Sequence, residues 1–352
     1  ILQREKLKPG WLMVKLRVLD NLYWSSCPDS ETVAALAREG VSLVVDLTMG
    51  ECRYALPQGV EKLEYPIPDF SFKAFEDVLV GVALPVLERL KQGERVLVHC
   101  RGGIGRSGVV VSMILGLRSG ASAREVKEKL ARLGFQGETL SQQLAFRWFF
   151  RARDLIGPGW IAAVVKKLKN VGGERGGSYW ATYAAHASTV ANVALDVLET
   201  ISDSYGLSKA ELRSAYAAGL LHDVGRVLAS SENHHAAGAL FAAEMPEVRS
   251  CCNPLLVAKA VLHHRRATDL LGDVELRRMG TAAQLVAAAV RLADAFNSVY
   301  EGEGLYRGVE LRGSRLVFQL EWSLIARAGG RLSEKARTFT ALTGLEVEAE
   351  LA

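Results

Sequence analysis

Residues 99–107 read His99-Cys100-Arg101-Gly102-Gly103-Ile104-Gly105-Arg106-Ser107. Val96-Leu97-Val98 before this stretch has the continuous apolar character of a buried strand, and Val109–Leu117 after it reads as a buried helix. Cys100 therefore stands where a strand ends and a helix begins, in a loop whose N–H groups converge on whatever it holds. Such a turn favours anions, and it biases a thiol toward thiolate. Gly102, Gly103 and Gly105 let the backbone wrap a tetrahedral ligand. Arg106 presents a planar fork suited to two phosphoryl oxygens. The stretch reads as a phosphate cradle with a nucleophile at its floor.

Working outward, the first part of the chain alternates. Strands are expected at Trp11–Arg17, Ser42–Leu47, Lys62–Ile67 and Arg95–His99. Helices are expected at Glu31–Glu39, Phe72–Lys91, Gly105–Leu117, Ser122–Leu133 and Leu140–Arg153. This order implies an α/β domain, a central sheet flanked by helices. Ile156-Gly157-Pro158-Gly159 breaks the pattern as a linker. A mostly α-helical region follows to about Tyr300, with a glycine-rich loop at Gly172–Ser178. A small α+β tail closes the chain: a hairpin of Gly308–Arg312 and Arg315–Leu320, a helix at Ser323–Leu342 and a strand at Leu345–Leu351. The expected domains are 1–154, 160–300 and 301–352, the last an extension of the second.

The chain has 352 residues, 49% hydrophobic and 23% charged, room for two domains with cores of their own. A net charge of +4 argues against a general polyanion-binding surface, so no nucleic-acid partner is expected. The longest apolar runs, Val109–Leu117 and Leu285–Val290, are closed by Arg118 and Arg291 and are too short to cross a membrane. The five cysteines, Cys27, Cys52, Cys100, Cys251 and Cys252, follow no disulfide or zinc spacing, and a catalytic thiol needs reducing surroundings. A cytoplasmic location is the expectation.

The His99–Ser107 stretch resembles the signature of the cysteine-based protein tyrosine phosphatases, His-Cys, five residues, Arg-Ser/Thr. Ester cleavage by a thiolate needs an acid for the leaving oxygen, and Asp69 in Ile67-Pro68-Asp69-Phe70 is the candidate. Asn21-Leu22-Tyr23-Trp24, this acid loop and Glu138-Thr139-Leu140-Ser141-Gln142 are similar to the corresponding segments of small atypical dual-specificity phosphatases. That resemblance covers about residues 10 to 153. It implies that Cys100 forms a phosphocysteine and that Arg106 and the loop amides, with Arg101, Gly102, Gly103, Ile104 and Gly105, bind the phosphoryl group. It further implies that Asp69 is the acid, that Ser107 assists departure of the sulfur, that Gln142 positions water and that His99 braces the loop. No metal is required there.

The second region holds six of the seven histidines: His186, His222, His234, His235, His263 and His264. With Asp223 and Asp294 they lie on strongly apolar helices. Inward-facing imidazoles and carboxylates need partners, and a divalent metal satisfies them together. Nitrogen and oxygen ligands suit Mn, Fe, Ni, Mg or Zn. The order His186, His222-Asp223, Asp294 resembles the signature of the HD superfamily of metal-dependent phosphohydrolases. The additional histidines look like a second metal position, assigned to His234, His263 and His264 with Asp223 bridging and His235 in reserve. Within that superfamily the C-terminal region of exopolyphosphatase and guanosine pentaphosphatase proteins is similar, tail included. Lys259, Arg265, Arg266 and Arg291 are candidate phosphate binders.

The whole chain then reads as a cysteine-dependent phosphatase fused to a metal-dependent HD phosphohydrolase, acting on a phosphoprotein or on a phosphorylated small molecule, nucleotide or polyphosphate. The alternative is a single-activity phosphatase whose HD domain is a nucleotide- or polyphosphate-binding regulatory module.

Overall fold

The computed structural model describes residues 16–133, 137–265, 267–296 and 306–352. Contacts divide the chain into two compact units, the first running through Arg151 and the second from Ala152 through the C-terminal segment.

In the first unit the elements are β1 (Leu16–Leu19), β2 (Leu22–Ser25), α1 (Ser30–Arg38), β3 (Val41–Asp46), β4 (Glu61–Glu64), α2 (Phe75–Val78), a π-helical turn (Leu79–Ala83), α3 (Leu84–Lys91), β5 (Arg95–His99), α4 (Arg106–Ser119) and α5 (Ala123–Ala131). Helix α6 (Leu140–Leu155) carries the boundary between the units. The five-stranded sheet has the order β1-β2-β5-β3-β4. Only the β1–β2 pair is antiparallel. β5 lies at the centre with Val96, Leu97 and Val98 fully buried, which is why its sequence is apolar without alternation. Its neighbours β2 and β3 come from earlier in the chain, so its C-terminal end opens at a topological switch, the usual ligand site of such sheets. α4 leaves that end buried on every side from Arg106 to Gly116 and stops at Gly120, which takes a left-handed C-cap at φ 65°.

Several expectations shift. The start of the expected Trp11–Arg17 strand lies outside the described residues. β2 was hidden inside Asn21-Leu22-Tyr23-Trp24, which reads as a motif before it reads as a strand. The strand expected to reach Ile67 ends at Glu64, although the Ile67 N–H still bonds the Leu47 carbonyl. The long helix starts at Phe75, and its π turn places Gly81 against the Tyr65 ring, where a Cβ would lie 2.5 Å from Cε2. The cysteine spacing gave no sign of a disulfide, yet Cys27 and Cys52 form one across 25 residues of sequence. The loops that bring them together are set by the sheet, which spacing alone does not reveal. Two of the five cysteines thereby leave the argument for reducing surroundings.

The second unit contains α7 (Pro158–Asn170), α8 (Glu174–Tyr205), α9 (Lys209–Leu221), α10 (Gly225–Leu228), α11 (His234–Glu244), α12 (Pro246–Cys251), α13 (Pro254–Leu262), α14 (Val274–Met279) and α15 (Thr281–Ala293). After them come β6 (Tyr306–Arg312), β7 (Arg315–Leu320), α16 (Trp322–Thr343) and β8 (Glu346–Leu351). β6 and β7 form the expected hairpin, and β8 joins β7 in parallel. Tyr306 donates to Asp196 Oδ2 at 2.8 Å and so fastens the hairpin to α8. The expected loop at Gly172–Ser178 is instead largely the first turn of α8. Gly176 serves close packing there, since a Cβ would lie 2.8 Å from the Val171 nitrogen. None of the described helices is long and apolar enough to cross a membrane.

Candidate active site and candidate metal centre

Cys100 is 1% exposed at the C-terminal end of β5. Its Sγ lies 3.1 Å from the Ser107 hydroxyl and accepts from the Gly103 N–H at 3.2 Å. Trp24 Nε1 donates to the same Ser107 oxygen at 2.8 Å, which leaves that hydroxyl's proton free to face the sulfur. Gly103 has a φ of 72°, and a Cβ on it would sit 2.5 Å from the Ser26 nitrogen. Both the backbone conformation and the space therefore demand glycine. A Cβ at Gly105 would run into Glu138 and Gln142. Arg101 is exposed, while Gly102 and Ile104 are partly exposed around the rim.

Arg106, 1% exposed, donates from Nη1 to the Ile67 carbonyl at 2.8 Å. Its Nη2 lies 2.8 Å from Asp69 Oδ1 and 3.4 Å from Glu51 Oε2. Guanidinium and carboxyl are thus in direct contact, Arg106 closing the loop that Cys100 opens. Phe70, next to Asp69, holds a φ of 55°, uncommon for a bulky residue, and exposes 58% of its surface. Gln142 is buried. Its Oε1 accepts from the backbone N–H groups of Glu138 and Thr139 at 2.9 and 3.3 Å, and its Nε2 has no protein partner.

His99 packs behind the loop. Its Nε2 lies 2.8 Å from the Tyr54 hydroxyl, and burial pushes its pKa down to about 4. Asp46 beneath it accepts from the Thr48 N–H at 2.9 Å and hydroxyl at 2.6 Å, and pairs with Lys62 at 2.9 Å. Sequence reasoning missed Glu51, Tyr54 and Glu138. Burial and the neighbouring Asp69 raise the Glu138 carboxyl, against the pull of Arg106. Glu138 was in plain view inside the Glu138–Gln142 motif, whereas Glu51 and Tyr54 lie on an irregular segment with no pattern to mark them.

In the second unit two groups form. His186, His222 and Asp294 make one, and Asp223, His234 and His264 the other. His186 Nε2 lies 3.1 Å from His222 Nε2 and 3.2 Å from Asp294 Oδ1. His234 Nε2 lies 3.3 Å from His264 Nε2 and 3.2 Å from Asp223 Oδ1. Asp223 belongs to the second group, and its Oδ2 stands 3.7 Å from His222 Nε2 of the first. The donor set tests whether a cation fits. His222, His234 and His264 each point Nδ1 at a backbone carbonyl, those of Gly219, Ser231 and Val261, at 2.8, 2.6 and 2.6 Å. A carbonyl only accepts, so Nδ1 carries the hydrogen and Nε2 presents a lone pair inward. Lone pairs of His234 and His264 then face each other beside a carboxylate oxygen, Asp223 Oδ1, which is buried without a hydrogen bond. Burial disfavours an extra proton, lowering His222 and pushing His264 down to about 3. A cation answers all of these groups, so the residues fit a metal site.

Gly225 makes the arrangement possible, because a Cβ there would collide with the His234 carbonyl where α10 meets α11. Lys335 of α16, 8% exposed, donates to Asp294 Oδ2 and lies 3.4 Å from the His264 carbonyl. Nothing in the sequence pattern singled it out. His263 is a correction. It turns away from both groups and lies 2.8 Å from Asp273 Oδ2, because adjacent residues on a helical turn point about 100° apart. His235 likewise joins neither group. The described candidates for phosphate binding have partners within the protein. Arg291 is 4% exposed and spends its guanidinium on the His263 and Thr268 carbonyls and the Thr268 and Thr338 hydroxyls. Arg265 bonds the Ser231 and Glu232 carbonyls, and Lys259 pairs with Asp273 and Glu275. Arg266 lies outside the described residues.

Residues 20–121 match the family model described as polymorphic toxin system, DSP-PTPase phosphatase, and residues 183–298 match that of the HD domain. Among curated proteins, "Putative tyrosine phosphatase 197R" of Invertebrate iridescent virus 6 is 31% identical over 99 residues, 25% of this chain and 36% of that protein. "Putative tyrosine phosphatase 067L" of Invertebrate iridescent virus 3 is 30% identical over 118 residues, 31% of this chain and 48% of that one. The chain thus spans between about a third and a half of the length of these relatives. Among solved structures, Tk-PTP in its active form is 29% identical with a TM-score of 0.36, covering 41% of this chain and 99% of that one. Human DUSP28 is 22% identical with a TM-score of 0.34, covering 42% and 97%. The chain joins a DSP-PTPase phosphatase domain, within its first unit, to an HD domain in its second.

Proposed function

We propose that the first unit hydrolyses phosphate monoesters through a phosphocysteine. The observation that carries this reading is Cys100 Sγ at the mouth of β5, with the Gly103 N–H 3.2 Å and the Ser107 hydroxyl 3.1 Å away, and with Asp69 on Arg106 at 2.8 Å. A phosphate dianion seated over the loop would take the Arg106 fork and release Asp69. The Cys100 thiolate attacks phosphorus, the ester bond breaks, and the leaving oxygen takes the Asp69 proton. Arg106 and the loop amides hold the equatorial oxygens. Water, oriented by the free Gln142 Nε2, then loses a proton to Asp69 and attacks phosphorus. Inorganic phosphate leaves, and the sulfur departs as thiolate steadied by Ser107.

The second unit is read as a metal-dependent phosphohydrolase. His186, His222 and Asp294 would hold one divalent cation and Asp223, His234 and His264 another, with Asp223 reaching both. A bound cation would supply Lewis acidity toward a phosphoryl oxygen. The protein's part is to fix the imidazole tautomers through the carbonyls of Gly219, Ser231 and Val261, and to hold Asp294 in place with Lys335.

Substrates in both cases are phosphorylated molecules, a phosphoprotein or a small phosphate ester. The test is phosphate release by the full chain and by Cys100→Ser, with elemental analysis of both. Metal-free turnover of an aryl phosphate by Cys100→Ser would overturn the first assignment. Failure to take up manganese or nickel would reduce the second unit to a binding module without hydrolytic function.

A further inference from the structure

A cavity of about 510 Å³ opens in the second unit between the first turns of α8 and the α10 segment. Arg175, Ser178, Tyr179, Tyr183 and Arg226 are among the residues that line it. Its size suits a small organic molecule. Two features tie it to the His/Asp groups. Arg226 Nε bonds Asp223 Oδ2 at 2.8 Å, so the cavity wall and the Asp223 carboxylate are one connected piece. Tyr179 lies at that wall, 5% exposed, and its hydroxyl is buried without any hydrogen-bond partner. Both the Asp223 carboxylate and the Arg226 guanidinium act on that hydroxyl, one raising and the other lowering its pKa, with burial the largest influence.

A buried phenol that bonds nothing is an exception among native polar groups. The ring is held firmly enough to aim it. Tyr179 stacks on Tyr183, centroids 4.9 Å apart and planes at 28°, and Arg226 lies 5.8 Å from the Tyr183 centroid. The site therefore offers one fixed, unspent O–H donor beside two arginines, with the Ser178 hydroxyl at the rim. Among the described residues that line the cavity none is a carboxylate, and donors with positive charge suit a phosphoryl oxygen.

We infer that this cavity receives the phosphoryl end of the ligand of the His/Asp centre, with Tyr179 donating a hydrogen bond to a phosphoryl oxygen and Arg175 and Arg226 balancing its charge. The inference rests on the phosphohydrolase reading of the second unit and names how the substrate is held there. Tyr179 is a binding and positioning residue.

The test uses the full chain carrying Arg106→Ala, which strips the guanidinium from the cysteine loop, and inorganic pyrophosphate as the probe. Calorimetric titration should show pyrophosphate binding that Tyr179→Phe weakens about tenfold or more, the loss expected for one charge-assisted hydrogen bond. Arg175→Ala should weaken it as well. Without ligand, Tyr179→Phe should melt at the same temperature as its parent or higher, because it deletes an unpaired buried hydroxyl. A hydroxyl with a structural role would lower it. Absence of pyrophosphate binding in the parent, affinity within twofold after Tyr179→Phe, or a lowered ligand-free melting temperature would each overturn the inference. Normal metal uptake with Tyr179-independent binding sinks this inference alone. Tyr179-dependent binding in a chain that takes up no metal upholds it as a phosphate site and sinks the hydrolase reading.

Discussion

The cysteine loop and the His/Asp centre solve the same problem, how to hold a phosphoryl group, from opposite starting points. The loop is complete in itself. The sulfur of Cys100 has the Ser107 hydroxyl and the Gly103 N–H, and Arg106 is engaged by Asp69, Glu51 and the Ile67 carbonyl. Its donors already point at an anion. The His/Asp centre is the reverse, an excess of acceptors. Nε2 lone pairs of His234 and His264 meet at 3.3 Å beside an unbonded Asp223 oxygen. Donors that a carboxylate already occupies suit a phosphate that displaces it, and acceptors in surplus call for a cation. The contrast predicts that the first site works in the presence of a chelator and that the second cannot.

The most severe test removes the one atom on which the first site depends. Cys100→Ser should lower chelator-resistant turnover of an aryl phosphate at least a thousand-fold, or about 4 kcal/mol of transition-state stabilisation, and leave metal uptake unchanged. If chelation abolishes wild-type turnover of the same ester, the two sites are not independent in kind and the comparison fails. A second test concerns how each region is fastened. Cys27 bonds through its N–H to the Arg101 carbonyl, and Cys52 follows Glu51, so the disulfide joins two segments that meet the cysteine loop. In the second unit Cys251 and Cys252 are free thiols, their sulfurs 3.2 Å apart. Reduction should cost the first unit about 3.5 kcal/mol, the chain-entropy figure for a loop of this length. Denaturant titration with and without reductant reads it, and an equal loss in the second unit would contradict the assignment.

The two sites were also unequally legible. The cysteine loop is local: nine consecutive residues specify strand end, turn and helix start, so sequence alone names nucleophile and guanidinium together. Asp69 lies on a separate loop and was reached through chemistry, because an ester cleavage needs an acid. The His/Asp centre is assembled from five helical segments. Its ligands His186, His222, Asp223 and Asp294 were legible because inward-facing polar groups on apolar helices need partners. The pair His263-His264 shows where such reasoning ends. Both are buried and adjacent, but only His264 turns inward, and the choice depends on Asp273 waiting on the other side. Lys335 comes from α16, far along the chain, and an isolated lysine in an amphipathic helix carries no sign of what it will meet.

Acid separates the regions further. His99 is the one histidine before residue 186, so proton uptake by the first unit near neutrality is its own. Burial pushes its folded pKa to about 4 from the ordinary 6.5. The unfolded chain therefore binds the proton first, and stability, whole above pH 6.5, should fall as the pH drops toward 4. The shift corresponds to about 3 kcal/mol. Asp46, whose carboxyl is held low by Thr48 and Lys62 against its burial, adds its own loss only below its usual range. Hydrogen exchange of first-unit amides between pH 7 and 4 follows this loss. A flat profile above pH 4.5 would mean that His99 is already charged beside Asp46.

Metal addition is the gentlest perturbation and the one that sharpens the contrast most. A ligand that binds only the folded state stabilises by about 2.7 kcal/mol at a hundred-fold excess over its dissociation constant. Manganese should therefore raise the melting transition of the second unit and leave that of the first in place, since among the described residues only the second gathers histidine nitrogens and carboxylate oxygens within reach of one cation. Asp223→Asn keeps the size of the residue but removes the charge that, as proposed, would serve both groups. It should cut metal uptake at both groups and erase most of the thermal gain. The variant without metal should lose some stability but stay folded, because it gives up the ion pair with Arg226 at 2.8 Å while keeping the shape of the side chain. If Asp223→Asn instead unfolds the second unit while manganese leaves the parent's melting unmoved, the cluster is held by its own protons, and the division between a site awaiting an anion and a site awaiting a cation does not stand.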